Sequence, residues 1–254
     1  MFERFMKIEA CRNHQELYTT LTSYIKDIVI SDIDPCSPFN STHVMKVAPS
    51  GDHVISLIDE ISFTYPPAPP LSQEHNIPPQ QFCNGDNKPP NCERNCVCTH
   101  MVDLPLNAVI EVVLVDEVQA TNLSHPFHLH GYSFVVVGMG RSPDKNIKKI
   151  NLKHALDLDR RGLLHRHFNL PPSKDTLAVP NNGYIILRFK ATNPGYWLFH
   201  CHFLFHVLIG MNLIIHVGTK DDLPPVPKGF PTCGHFKPPI EDFHFDKPFH
   251  HHHW

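Results

Sequence analysis

Twenty-five of the 254 residues are proline, roughly twice ordinary usage. Proline lacks a backbone donor and fixes φ, so it ends helices and is confined to the edges and ends of strands. A chain interrupted this often is left with short strands joined by rigid loops. The apolar runs agree. Residues 109–115 form a β-branched run, bounded by Asn107 and Asp116 and too short for a stand-alone helix. Residues 54–65 recur in apolar character and end in an alternating stretch over 61–65. Further strands are expected over 133–137, 183–190, 196–202 and 212–217. Residues 66–70 (PPAPP) stop any regular element, 71–98 read as a polar loop, 141–181 as polar and irregular, and the chain after Gly218 as a proline-rich tail. The first 50 residues read weakly: 24–30 fits a strand, 17–25 a helical turn or two. Short strands with Gly/Pro turns point to an all-β sandwich or barrel with long proline-rich loops.

Charge narrows the function. With 22 Lys+Arg against 25 Asp+Glu, the formal charge is −3, which gives nucleic acid or a polybasic membrane contact no electrostatic support. No run of about 18 apolar residues is present to span a bilayer. The opening Met1-Phe2-Glu3-Arg4 leads into mixed polar sequence, not a signal-peptide pattern. Histidine, at 21 residues, raises the prior for metal ligation in a chain that is not basic.

The histidines gather in two clusters beside expected strands: His125-Pro126-Phe127-His128-Leu129-His130-Gly131 and His200-Cys201-His202-Phe203-Leu204-Phe205-His206, the latter followed by Gly210-Met211. Side chains alternate along a strand. His200 and His202 therefore share one face and Cys201 takes the other, so one peptide can serve metal sites on both sides. A turn can bring His206 and Met211 back toward Cys201. One thiolate, two imidazoles and a weak thioether form the blue-copper ligand set, which Cys201, His125, His206 and Met211 fill. A structural zinc site usually shows CxxC pairs and no Met. His128, His130, His200 and His202 remain as an all-imidazole group that would not by itself identify a metal; its covalent link to a copper thiolate makes copper the economical reading. A lone strand histidine is ordinarily a surface or hydrogen-bonded residue. Two clusters, one with Cys between paired His, are a far rarer coincidence.

The segments HPFHLHGYSFVVVG and GYWLFHCHFLFHVLIGMNLIIHVG resemble the third and fourth copper motifs of multicopper oxidases, in the wording of an insect-type laccase. The resemblance runs from about Ile61 to Pro239. It implies a cupredoxin-like Greek-key β-sandwich over 61–220, leading strands within 1–60 and a proline/histidine-rich tail over 221–254. It implies a complete type 1 copper on His125, Cys201, His206 and Met211, a type 2 ligand in His128, and type 3 ligands in His130, His200 and His202, with the His200-Cys201-His202 strand as the electron path between them. It implies one-electron oxidation of phenols, catechols or aromatic amines coupled to reduction of O2 to water, in a secreted, disulfide-bonded protein. The family's two N-terminal motifs, HWHG-like and HxH-like, do not occur here, so the type 2/type 3 set is partial. The chain reads as the C-terminal part of a laccase whose N-terminal cupredoxin domains are its missing partners. The alternative is a lone cupredoxin-like electron-transfer module or an inactive fragment.

Other features carry less. Disulfides among Cys11, Cys36, Cys83, Cys92, Cys96, Cys98 and Cys233 are expected of a secreted protein, as the resemblance implies, with a zinc site on Cys92, Cys96 and Cys98 near His100 as the minor alternative. Seven cysteines remain beside Cys201, an odd number. Phe127, Phe199, Phe203 and Phe205 are expected to wall the copper sites. Asp116 and Glu117 are expected at a solvated loop end. Gly131 and Gly210 are expected in tight turns, and His250–His253 in a solvated tail.

Overall fold

The computed structural model describes residues 42–50, 53–90, 92, 95–118, 122–144 and 150–233. The expected elements over 17–30 and the histidine run at 250–253 lie outside the described residues.

Among the described residues thirteen strands run in order: β1 (Thr42–Ser50), β2 (His53–Ile58), β3 (Ile61–Phe63), β4 (Phe82–Cys83), β5 (Cys96–Leu104), β6 (Val109–Asp116), β7 (His125–Leu129), β8 (Phe134–Arg141), β9 (Ser173–Lys174), β10 (Thr176–Val179), β11 (Gly183–Lys190), β12 (Gly195–Cys201) and β13 (Asn212–Val217). The described residues also form the short α-helices α1 (Pro70–Gln73), α2 (Leu152–Arg160) and α3 (Leu204–Leu208). The strands follow one hydrogen-bonded path, β10-β7-β12-β13-β5-β3-β2-β1-β6-β11-β8-β9, with β4 beside β5. Neighbours in space are often distant in sequence, as Greek-key connections require. Most pairings are antiparallel, but β1–β6, β13–β5, β3–β5 and β4–β5 are parallel. The strand β5 joins the two halves of the path: its first residues pair with β3 and its last with β13.

The main core lies between the halves. Ile110, Val112, Leu114, Ile185 and Leu187 on one side meet Phe127, Phe199, Leu213, Ile215 and Val217 on the other. Strands β6 and β11 are buried along both faces, which is why they read as continuous apolar runs. A second cluster on their outer side, including Val113, Val115 and Ile186, is covered by Ala155 and Leu158 of α2. Each fully buried side chain of this size contributes about 1.5–3 kcal/mol.

Two expectations fail here. Residues 141–181 are not wholly irregular. They contain α2, whose Asn151 cap accepts from the His154 N–H, together with β9 and β10. Nor is 71–98 a bare loop: it contains α1, two single turns of 3₁₀-helix (Glu74–Asn76 and Pro79–Gln81), β4 and the start of β5. Its cysteines form the disulfides Cys83–Cys98 and Cys92–Cys96, which removes the zinc alternative because a bridged sulfur has no thiolate to offer.

Candidate metal centre

Two strands and one short helix assemble the site. β7 carries His125, Phe127 and Leu129 inward and presents Pro126 and His128 to the other face. β12 lies antiparallel to it, with His200 opposite His128 and Cys201 opposite Phe127. The chain then turns through α3 and re-enters the sheet as β13 beside β12. The return is held by Cys201 N–H donating to the Met211 carbonyl (3.1 Å), Met211 N–H to the His206 carbonyl (2.9 Å) and Asn212 Nδ2 to the Val207 carbonyl (2.8 Å). His206 and Met211 are thereby folded back onto the Cys201 side.

On the inner side, Cys201 and Met211 are fully buried in the core. Cys201 Sγ lies 3.5 Å from His206 Nδ1, and the His206 and His125 ring centroids are 4.9 Å apart. Burial pushes the Cys201 thiol up to about 11, against a hydrogen bond from the Phe203 backbone. Burial, with the neighbouring His206, pushes His125 down to about 4, and burial also lowers His206. Both imidazoles are therefore neutral at pH 7, the form that ligates metal. Neither ring nitrogen of His125 has a hydrogen-bond partner, although the side chain is fully buried. Its nearest charge is Asp116, at 4.0 Å. A buried imidazole without partners costs free energy, and a soft cation between Cys201, His206 and His125 would remove that cost. The donor set fits copper.

On the outer side, the four remaining imidazoles meet. Ring centroids are 4.8 Å apart for His128–His130, 5.1 Å for His130–His200, 5.4 Å for His200–His202 and 5.9 Å for His128–His202. His130 Nε2 faces His200 Nε2 at 3.1 Å. His200 Nδ1 is 2.9 Å from the Cys201 carbonyl, so Nδ1 donates and Nε2, facing His130, carries the lone pair. His128 Nδ1 is likewise 2.9 Å from the Asp175 carbonyl and 2.9 Å from Thr176 Oγ1. Partial desolvation and then the neighbouring His128 and His202 lower exposed His130; burial is the main cause for His200, with the Cys201 hydrogen bond opposing it. Among the described residues the donors approach as pairs, and no three His, Cys, Asp or Glu close into a finished ligand set.

The alternation expected along 200–202 matches these positions: Cys201 faces the core while the flanking imidazoles face outward. Two lesser expectations do not hold. Asp116 is not at a solvated end but fully buried, accepting from the N–H groups of Val118 (2.8 Å) and Asn182 (3.0 Å) and from Asn181 Nδ2 (3.3 Å). Phe203 and Phe205 do not wall the site from water; they are exposed together with Leu204 and Leu208, and both rings flank His206. Phe127 and Phe199 are buried, 5.1 Å apart. Sequence reasoning also missed Ser56 and Ser62, buried beside the Met211 loop, because an isolated serine has no motif.

Residues 64–221 match the multicopper oxidase family model. Laccase-11 of Arabidopsis thaliana is 37% identical over 142 residues, covering 53% of this chain and 23% of that protein. Putative laccase-11 of Oryza sativa subsp. japonica is 32% identical over 220 residues, covering 79% and 37%. The crystal structure of Fet3p, titled a multicopper oxidase that functions in iron import, superposes with a TM-score of 0.45 at 25% identity, over 70% of this chain and 31% of that one. The chain thus spans well under half the length of these relatives, and the family implies copper. The family match takes in both histidine clusters, with Cys201 inside the second, and the chain belongs to the multicopper oxidase family.

Proposed function

We propose that the chain is the electron-accepting part of a laccase-type oxidase. His125, Cys201, His206 and Met211 would hold a type 1 copper, and His128, His130, His200 and His202 would supply part of a type 2/type 3 centre. When bound, copper would supply one-electron redox chemistry on the inner side and oxygen reduction on the outer. The carrying observation is the opposed pair of clusters on β12, joined through one residue's backbone.

The chain's own groups do the rest. The core around Cys201 excludes water, which favours a thiolate–metal bond over hydrolysis. The Cys201 carbonyl, bonded to His200 Nδ1, adds a hydrogen-bonded shortcut to the covalent path from sulfur to imidazole. Exposed Phe203, Leu204, Phe205 and Leu208 make an apolar rim beside His206. Such a rim fits the flat face of a phenol, catechol or aromatic amine. The other cupredoxin domains of such an enzyme would be the partners that complete the outer centre. Secretion, in keeping with the two disulfides, belongs to the same reading. Among the described residues no helix is long and apolar enough to cross a membrane.

A lone electron-transfer module is the second reading. It is favoured by the exposure of His130 and His202, which leaves the outer imidazoles open to water. Copper loading, stoichiometry and oxygen uptake decide. The oxidase reading expects an intense thiolate–copper band, lost in Cys201→Ser, more than one copper per chain, and catechol-dependent oxygen uptake once the partner domains are supplied. One copper with the band and no oxygen uptake supports the module. A wild-type chain that takes up Cu(II) without the band refutes both.

A further inference from the structure

The loop that carries His206 and Met211 is tied to a part of the chain outside both motifs. β2 and β3 form a hairpin with Ile58 opposite Ile61. Its two turn residues, Asp59 and Glu60, both have positive φ (55° and 66°), as a tight two-residue turn requires. This hairpin lies against the 209–210 backbone. The Ile209 carbonyl accepts from Ser56 N–H (2.8 Å) and from Ser62 Oγ (3.1 Å), and the Gly210 carbonyl accepts from Phe63 N–H (3.0 Å). Ser56 and Ser62 are buried, so these bonds are shielded from water. Gly210 makes the approach possible. A Cβ there would lie 2.1 Å from Ser62 Oγ, 2.9 Å from Phe63 N and 3.0 Å from the Ser56 carbonyl, and the residue has φ +107°. The hairpin is itself anchored: Phe63 pairs with Cys98 of β5, whose sulfur is bridged to Cys83.

We propose that Ser62 is a positioning residue for the inner copper ligands, its hydroxyl latching the 206–211 loop so that His206 and Met211 stay folded back onto Cys201. The proposal rests on the copper reading above. Within the loop, Met211 N–H bonds to His206 and Met211 C=O to Cys201. A shift at Ile209 and Gly210 therefore reaches Met211 directly and His206 through Val207 and Leu208. Ser56 N–H is a backbone donor that no side-chain change removes, so the Ser62 hydroxyl is the adjustable half of the latch.

The test uses the full 254-residue chain and three variants: Ser62→Ala, Ser62→Thr and Gly210→Ala. In the metal-free protein, Ser62→Ala is expected to raise amide exchange at Ile209, Gly210 and Met211 by about fivefold, the factor lost with one ordinary buried hydrogen bond. Exchange in β11 should not change. In the Cu(II)-loaded protein, Ser62→Ala is expected to shift the thiolate–copper band and speed copper loss to a chelator. Ser62→Thr, which keeps the hydroxyl, is expected to restore both. Gly210→Ala should exceed Ser62→Ala in every readout. If the wild type shows the band but Ser62→Ala leaves exchange, band and copper loss unchanged, the latch is overturned and the copper reading stands. If the wild type shows no band, both fall, whatever the exchange data show.

Discussion

Glu111 gives the sharpest test of how this sandwich is held together. It sits fully buried in β6, directly opposite Arg188 of β11 in the strand register. Its carboxylate accepts from Arg188 Nε and from Arg166 through Nε (3.1 Å) and Nη2 (2.8 Å). Arg166 also reaches buried Asp159 of α2, and the Arg188 guanidinium lies 4.6 Å from the Phe168 ring centroid. Glu111 is thus the one of these two carboxylates that touches both guanidinium groups, which are almost wholly out of water. Removing one partner of a buried ion pair costs about 3–5 kcal/mol, because the remaining charge is left without compensation. Glu111→Gln keeps the shape and removes the charge, so it should lose about that much, or roughly 10 °C in Tm for a domain of this size. The interaction is not worth that amount in its own right. Replacing Glu111, Asp159, Arg166 and Arg188 together by Leu and Met should be less destabilising than the single change, since no stranded charge remains. Urea unfolding of the metal-free chain measures both. A single variant within about 1 kcal/mol of wild type, or a quadruple variant worse than the single one, would refute the reasoning.

The same cluster fixes a pH dependence. Burial raises the Glu111 carboxyl, but the charges and hydrogen bonds of Arg188 and Arg166 more than offset this, so it ends below its ordinary 4.5. Asp159, bonded to the same Arg166, ends above its ordinary value because burial outweighs that bond and Glu111 adds a like charge. The two carboxylates thus share Arg166 unequally, and Glu111 is the one that gains. A depressed folded value means that the Glu111 contribution is complete above the unfolded carboxyl range. It is lost as pH falls through the folded value.

Further outcomes are expected. The stability gap between wild type and Glu111→Gln should be full at pH 7 and shrink below about pH 4, read from urea midpoints across pH; a constant gap would contradict the assignment. Gly131→Ala should destabilise by at least about 1–2 kcal/mol from its left-handed backbone alone. Its added carbon would also fall 2.3 Å from the Trp197 ring, so Trp197 fluorescence should shift with the melt. Removing Cys83–Cys98, 15 residues apart, should cost about 3 kcal/mol, and removing Cys92–Cys96, four apart, about 2 kcal/mol by the same chain-entropy relation; denaturant midpoints of the paired Ser variants give the order. Met211→Leu, at a fully buried position, should raise the potential of a loaded type 1 copper, because a thioether donates weakly and an alkyl group does not. Redox titration giving an equal or lower potential would remove Met211 from the proposed ligand set.

What could be read in the sequence was whatever repeats along a strand. β11 and β13 fall on the expected residues 183–190 and 212–217, because apolar runs between Gly and Pro punctuation leave little choice of bounds. The two-sided use of β12 followed from alternation alone. What could not be read depends on partners distant in sequence. Residues 141–181 read as irregular because α2 buries only Ala155, Leu158 and Asp159 in a polar stretch, and its Asn151 cap was not recognised. Asp116 looked solvated because its partners, Asn181 and Asn182, come from the turn before β11. The serine latch was invisible for the same reason: 147 residues separate Ser62 from Ile209. This division follows from what each level of structure specifies. The facing of His200, Cys201 and His202 within one short peptide can be encoded by local spacing, since the pleat decides which side chains share a face. The contacts that hold the 206–211 loop, from the Ser56 and Phe63 N–H groups and the Ser62 hydroxyl, depend instead on segments that only the tertiary fold brings together. Local spacing therefore determines which side chains share a face, and under the proposed latch the β2–β3 hairpin, anchored through β5 to a disulfide, sets how firmly the 206–211 loop is held against them.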